Sequence, residues 1–266
     1  MSVDLGFGGA VCIVTGGTRG IGRAVVDLLL AEGARVLAVG SRDATAGPLR
    51  EALAPHGGAA AVIAQDMRAE DSGTRVVEEA VSRFGRVDVV VNNAAAFEYK
   101  APGDVVRDDW RELVELKLLG YWSLAKAAEK ELSRRGGAIV NVAGVAGVIA
   151  SPGSVHVGAV NAAVLSATES MAKALASQGI RVNAVSPGAT DTDRFATRTR
   201  IIAEAEGVDR EQARRGLSEA IPLGAPADPR ELAMAIAFLS SPLMKSLTGA
   251  HIVVDGGSTL GGRRHV

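Results

Sequence analysis

AVCIVTGGTRGIGRAVVDLLLAEG, residues 10–33, runs from a β-branched apolar stretch through a glycine-rich turn into a helical pattern. A strand that hands over to a helix through glycines makes a cradle for phosphate. Glycine lets the backbone turn sharply and approach a pyrophosphate, whose charge then sits at the positive end of the helix. The strand before the turn and the helix after it make the signal more specific than glycine spacing alone. Gly16, Thr18, Arg19, Gly20, Ile21 and Gly22 are therefore the first candidate contacts of a dinucleotide.

The same alternation continues along the 266 residues. Apolar runs occur at 10–14, 34–39, 59–64, 87–91, 137–142, 180–185 and 251–254, apolar at nearly every position as strands buried on both faces are. Helical patterns at 20–32, 71–84, 109–134, 157–177 and 228–239 separate most of them. This order predicts an α/β fold: a doubly wound (Rossmann-type) parallel seven-stranded sheet with helices on both faces. No linker or internal repeat divides the chain, so residues 1–266 read as a single dinucleotide-binding domain. The segment 191–227 breaks the rhythm with Arg194, Arg198, Arg200, Arg210, Arg214 and Arg215. Following a late strand, it is expected to form a substrate lid over the strands' carboxyl ends. The alternative is a solvated helical excursion.

Composition narrows the partners. A hydrophobic content of 47% is ample for a core. Twenty-nine basic against thirty acidic residues give a net charge of -1, no electrostatic reason to expect nucleic acid or an anionic membrane. A small-molecule substrate fits better. Cys12 lies in an apolar run with no second cysteine, so it reads as core packing in a reducing compartment. No apolar run approaches the roughly 18 residues of a membrane span, and the opening MSVDLGFGG has no charged region followed by an apolar one. A cytoplasmic location is expected. His56, His156, His251 and His265 are far apart and form no metal-ligand spacing, so no metal is expected.

The second strand ends Val39-Gly40-Ser41-Arg42, where an acid would serve a free adenosine ribose. A guanidinium there, with Arg19 in the glycine turn, suits a ribose 2′-phosphate through charge-assisted hydrogen bonds. NADP(H) is expected over NAD(H), with Ser41 and Arg42 as contacts; a plain loop arginine is the alternative.

Four further motifs fall in a familiar order. Asp66-Met67 precedes Asn92-Asn93-Ala94-Ala95, then comes Ser186-Pro187-Gly188-Ala189-Thr190-Asp191-Thr192, and Thr248-Gly249 leads to Val254-Asp255-Gly256-Gly257. With TGGTRGIG they resemble the short-chain dehydrogenase/reductase family over almost the whole chain. The resemblance implies that Asp66 and Met67 lie against the adenine. It also implies that Asn93, Ala94, Ala95, Pro187, Gly188, Thr190 and Thr192 line the cofactor, and that the chain forms a homo-oligomer, dimer or tetramer.

The family's chemistry uses an asparagine, a serine, a tyrosine and a lysine. By flanking sequence these positions fall on Lys117, Gly144, Val157 and Asn161. Val157 has no exchangeable proton and Gly144 no side chain, so the family's acid and oxyanion donor cannot operate. Lys117 and Asn161 are the family's two residue types exchanged, which puts a lysine on the opposite wall; a solvated Lys117 is the alternative. On the helix from 154, Ser154, Val157 and Asn161 share a face, and His156 is turned about 100° from Val157. Ser154 therefore faces the pocket better than His156, with a turn residue around Pro152-Gly153 as the alternative, and Tyr99 is the most suggestive proton donor left, with a partly packed surface tyrosine as the alternative. Lys117, Asn161, Ser154 and Tyr99 are the candidate catalytic residues. Three functions stay open: an NADPH-dependent oxidoreductase of a small carbonyl compound with a rearranged site; a non-redox isomerase, dehydratase or cyclase using the same pocket; and a catalytically silent NADP(H)-binding partner protein.

Overall fold

The computed structural model describes residues 4–98, 100–150, 153 and 155–260. Seven parallel strands form one sheet: β1 (Val11–Thr15), β2 (Arg35–Gly40), β3 (Ala60–Ala64), β4 (Val89–Asn92), β5 (Ala138–Val142), β6 (Arg181–Pro187) and β7 (His251–Val254). Their spatial order is β3-β2-β1-β4-β5-β6-β7. The order reverses between β1 and β4, and a doubly wound sheet opens a crevice at that point, beyond the strands' carboxyl ends. Both fold class and strand count agree with the sequence expectation.

Alternation within β1 shows why its run is apolar throughout. Val11 and Ile13 point into one core, Cys12 and Val14 into the other. The first core is closed by α3 (Ser72–Phe84), α5 (Gly120–Ser133) and the later part of α6 (Val155–Leu175); the second by α1 (Gly20–Ala31), α2 (Asp43–Leu53) and α9 (Pro229–Ser240). Both faces of the sheet are thus dry. Cys12 is fully buried, and desolvation pushes its thiol pKa far up, consistent with core packing.

Three features depart from the periodic reading. Helix α2 was not anticipated: it carries Pro48 in its interior and buries only Ala46, Leu49 and Leu53, too sparse a stripe to stand out. The pattern at 109–134 divides into α4 (Arg107–Leu113), a π-helical turn (Val114–Leu119) and α5, with Lys117 in the turn. Such turns add a residue to the helical ladder and recur at functional sites. The segment 191–227 contains α7 (Asp193–Glu206) and α8 (Arg210–Glu219), joined where Gly207 adopts a left-handed conformation. They bury only Phe195, Thr199, Ala203 and Ala213. No helix among the described residues is long and apolar enough to cross a membrane.

Arg181 closes the sheet's far end. Its guanidinium is buried and donates to the carbonyls of Leu239 (2.7 Å), Leu247 (3.1 Å), Ser240 (3.2 Å) and Ser241 (2.9 Å), taking up the carbonyls at the end of α9. Replacing it with Met keeps the stem and strands the Ser240 and Ser241 carbonyls, while Asn183 Nδ2 still donates to those of Leu247 and Leu239. Arg181→Met is expected to lower the unfolding free energy by about 3 kcal/mol in a denaturant titration. A loss below about 1 kcal/mol would mean that water replaces the guanidinium.

Candidate active site

The glycine turn and the loop after β4 are held as one unit by two side chains. Thr15 Oγ1 accepts from the backbone N–H of Asn93 (3.0 Å) and of Ala94 (3.1 Å). Asn93 Nδ2 returns to the carbonyls of Thr15 (3.0 Å) and Gly16 (3.2 Å). Gly16, at φ +64°, meets Ala94 at the distance where a Cβ would stand 3.0 Å from its Cα. A Cβ on Gly22 would lie 2.1 Å from the Gly16 carbonyl oxygen, so the turn closes only with glycine there. Arg19 occupies the N-cap of α1 without a side-chain cap, and the first turn holds no acid. The helix therefore presents its N–H groups and positive dipole end to an anion.

Of the other expected cofactor contacts, Ser41 and Arg42 are exposed beyond β2, with Arg42 at the N-cap of α2. Arg19 is exposed on the glycine turn, and Thr18 lies against Gly40, where a Cβ would stand 2.8 Å from the threonine methyl. Met67 is buried, whereas the Asp66 carboxylate is drawn to Arg68 at 2.6 Å, which holds its pKa below the usual range. Pro187 ends β6, and Gly188 donates its N–H to the Val254 carbonyl (2.9 Å). Thr192 packs its methyl toward Gly20, and its hydroxyl donates to the Thr190 carbonyl at 3.2 Å. Residues 188–192 therefore lie across the crevice from the glycine turn.

Lys117, Gly144 and Asn161 gather just beyond the end of β5. Lys117 is 2% exposed, and its Nζ donates to the Ala143 carbonyl at 2.6 Å. It is not a solvated surface residue. Burial pulls its pKa down to about 7, and the positive charge of Arg194 adds to the shift. Gly144 has φ +156°, a conformation hostile to any Cβ, and a Cβ there would meet Asn161 Nδ2 at 2.8 Å. A side chain at 144 would require the Asn161 carboxamide to shift. Val157 packs with Leu113 and Val160, bordered by Phe97 and Ala146, so position 157 belongs to an apolar wall. Asn161 is buried, and its carboxamide oxygen has no hydrogen-bond partner. Such an atom marks a place for a donor from a ligand.

Ser154 and Tyr99 lie outside the described residues. His156 is buried beside Trp110, with ring centroids 6.2 Å apart and Nδ1 unpartnered. Three contributors escaped the sequence reading. Tyr121, one helical turn beyond Lys117, places its hydroxyl 3.1 Å from the Ala94 carbonyl and 3.2 Å from that of Val142. The i, i+4 spacing was the available signal. Ser186 Oγ accepts from Gly144 N–H (3.3 Å) and lies 2.8 Å from His251 Nε2. Arg194 reaches from α7 to the Ala95 carbonyl (3.2 Å) and stands 4.2 Å over the Phe97 ring. Nothing local in the sequence announces either of these pairings.

The glycine cradle, the open start of α1 and the orphaned Asn161 oxygen all fit a nicotinamide dinucleotide. Comparison with known proteins agrees with this geometry. Residues 16–259 match the family described as Enoyl-(Acyl carrier protein) reductase. The 3-oxoacyl-[acyl-carrier-protein] reductase FabG of Vibrio cholerae is 32% identical over 94% of this chain and 97% of its own. L-rhamnose 1-dehydrogenase (NAD(P)(+)) of Azotobacter vinelandii is 36% identical over 92% of this chain and 94% of its own. L-sorbose reductase from Gluconobacter frateurii, solved with NADPH and L-sorbose, superposes with a TM-score of 0.91 at 26% identity, covering 97% of this chain and 99% of that one. Motif order, sheet topology and full-length similarity coincide, and the chain belongs to the short-chain dehydrogenase/reductase family of oxidoreductases.

Proposed function

We propose that the chain is an NADPH-dependent reductase of a small carbonyl compound, working through a rearranged site in which Lys117 takes over the charge of the family lysine and supplies the proton. The observation that carries this reading is the buried Lys117 Nζ, anchored at 2.6 Å on the Ala143 carbonyl beside the emptied serine position. When bound, the reduced cofactor supplies a hydride. Lys117 holds the compensating proton at Nζ, with a pKa near 7 that suits transfer at neutral pH. Asn161 offers its unpartnered oxygen to a hydroxyl group, and Val157 with Phe97 and Leu113 excludes water from the reacting face. Helices α7 and α8 serve as the lid over this crevice, tied to the end of β6 by the Arg214–Asp191 ion pair at 2.9 Å. The assembled form is a symmetric homo-oligomer, because Leu119, Trp122 and Val155 leave apolar surface exposed on the π-helical turn, α5 and α6.

Cofactor choice follows from Arg42, which pairs with a 2′-phosphate. The contact is worth about 1.5 to 3 kcal/mol, so NADPH should bind roughly ten- to a hundredfold more tightly than NADH. Arg42→Ala should erase the preference, and equal titration curves in the parent would refute the assignment.

The role of Lys117 predicts a pH limb. The group is the acid in reduction, so kcat/KM for the carbonyl should fall as pH rises through about 7, or somewhat higher once cofactor phosphates oppose the shift. Lys117→Ala should remove that limb and cost tenfold or more in turnover or cofactor affinity, about 1.4 kcal/mol. Asn161→Ala should cost less, and the double exchange Lys117→Asn with Asn161→Lys should restore part of the binding. Parent-like NADPH binding and turnover in Lys117→Ala would remove Lys117 as the proton donor, whereas a parent that binds NADPH and turns over no carbonyl would favour a silent nucleotide-binding protein.

Assembly is checked by sedimentation at micromolar concentration. A monomer there would contradict the oligomer.

A further inference from the structure

The peptide between Ala143 and Gly144 is held at both ends. Its carbonyl oxygen accepts from Lys117 Nζ at 2.6 Å, and its N–H donates to Ser186 Oγ at 3.3 Å. A peptide group is planar, so the two bonds fix one rigid plate between the buried lysine and the end of β6. The preceding N–H, of Ala143, is held on the Val185 carbonyl at 2.8 Å. A change at Ser186 therefore reaches the acceptor of Lys117 through a single peptide plane.

Ser186 is fully buried, and among the described residues its hydroxyl meets the Gly144 N–H and, at 2.8 Å, His251 Nε2. An amide N–H only donates, so it takes a lone pair of Oγ. The hydroxyl proton then has one acceptor in reach, Nε2, and a buried donor left unpaired is costly. His251 is therefore neutral, with its proton on Nδ1. The residue itself is exposed, at the start of the edge strand β7. Partial burial holds its pKa below the usual range, opposed by the Glu169 carboxylate of α6. Glu169 lines a surface groove with Lys173, also of α6, and with Thr248 and Gly249, which lead into β7. All three donors thus point the same way: Lys117 to the peptide, the peptide to Ser186, Ser186 to His251. Hydrogen bonds in such a chain polarise one another. Protonation of His251 reverses the last bond. Nε2 then donates to Oγ, the Ser186 proton loses its acceptor, and the oxygen is shared between two donors.

We propose that His251 is a positioning residue for Lys117, acting through Ser186 and the Ala143–Gly144 peptide, and that the neutral ring keeps the lysine's acceptor in place. This rests on the reductase reading above, in which Lys117 supplies the proton, and adds the regulation of that site. Acid at the surface, by protonating His251, loosens the hold on the group that works inside.

The test is an NMR titration of the full chain from acid to mildly alkaline pH, with histidine nitrogens and lysine ε carbons labelled. In the parent, His251 should carry its proton on Nδ1 at neutral pH, and the Lys117 signal should show a second inflection where His251 titrates. His251→Gln keeps an acceptor for the Ser186 hydroxyl and cannot titrate. It should abolish the second inflection while leaving hydrogen exchange of the Gly144 amide within about twofold of the parent. Ser186→Ala should abolish the inflection and speed that exchange roughly tenfold or more. In turnover of a carbonyl compound, kcat/KM of the parent should fall on the acid side as His251 protonates, and His251→Gln should lose that limb. A proton on Nε2 at neutral pH, a Lys117 signal indifferent to the His251 titration, a second inflection that survives Ser186→Ala, or an acid limb that survives His251→Gln would each overturn the proposal. Should thermal unfolding show that Ser186→Ala does not fold, His251→Gln decides, because an exposed residue is exchanged there. A parent that turns over no carbonyl would instead sink the reductase reading, while the NMR titration needs no turnover and still decides the link between His251 and Lys117.

Discussion

The hydrogen bonds between Thr15 and the Asn93 loop are the constraint on which the rest of the site depends. A parallel sheet that reverses its order between β1 and β4 splays two loops apart at that point. Here one buried threonine hydroxyl accepts two backbone N–H groups of the β4 loop, and one carboxamide returns to two carbonyls of the glycine turn. The crevice thereby has a defined width. The glycines follow from it: with the loops drawn together, a side chain at Gly16 or Gly22 would occupy space already held by Asn93 and the backbone. Phosphate binding is then a property of a turn that tertiary contacts have squeezed open on one side only.

Gly144, Asn161 and Lys117 pack as a set. Asn161 fills the volume next to Gly144, where any Cβ would stand 2.8 Å from its amide nitrogen, and it also crowds Gly147. Gly144 in turn adopts a backbone conformation that glycine alone reaches at low cost. Lys117 comes from the other side to take the Ala143 carbonyl, the residue just before that glycine. These contacts tie positions 117, 144 and 161 into one cluster, so that a change at one alters the surroundings of the others.

Burial decides the chemistry available. A lysine in water is charged at neutral pH and a poor acid. Lys117, desolvated and facing Arg194, is brought to about 7, where it can hold or release a proton. Tyr121, equally buried and pushed far upward, is locked between the Ala94 and Val142 carbonyls and serves to brace the loops. Two ionisable residues one helical turn apart thus shift in opposite directions from one cause, because burial disfavours the charged form of each.

Much of the fold was readable from the chain itself. Apolar runs without polar interruption require a sheet covered on both faces, and glycine at 16, 20 and 22 answers a local steric demand that leaves a mark in sequence. Flanking residues also gave an expected place for each of the four family positions. What only the tertiary structure decided is how those positions relate. Residues 117, 144 and 161 come from a π-helical turn, the loop after β5 and a separate helix, and neither the close approach of Asn161 to Gly144 nor the hold of Lys117 on Ala143 has any trace in spacing. The division of 109–134 by the π-helical turn, the reach of Arg194 to Phe97 and the Ser186–His251 contact were invisible for the same reason. Local sterics and hydrophobic period are written along the chain, whereas burial and the meeting of side chains from distant segments arise only when the two cores close.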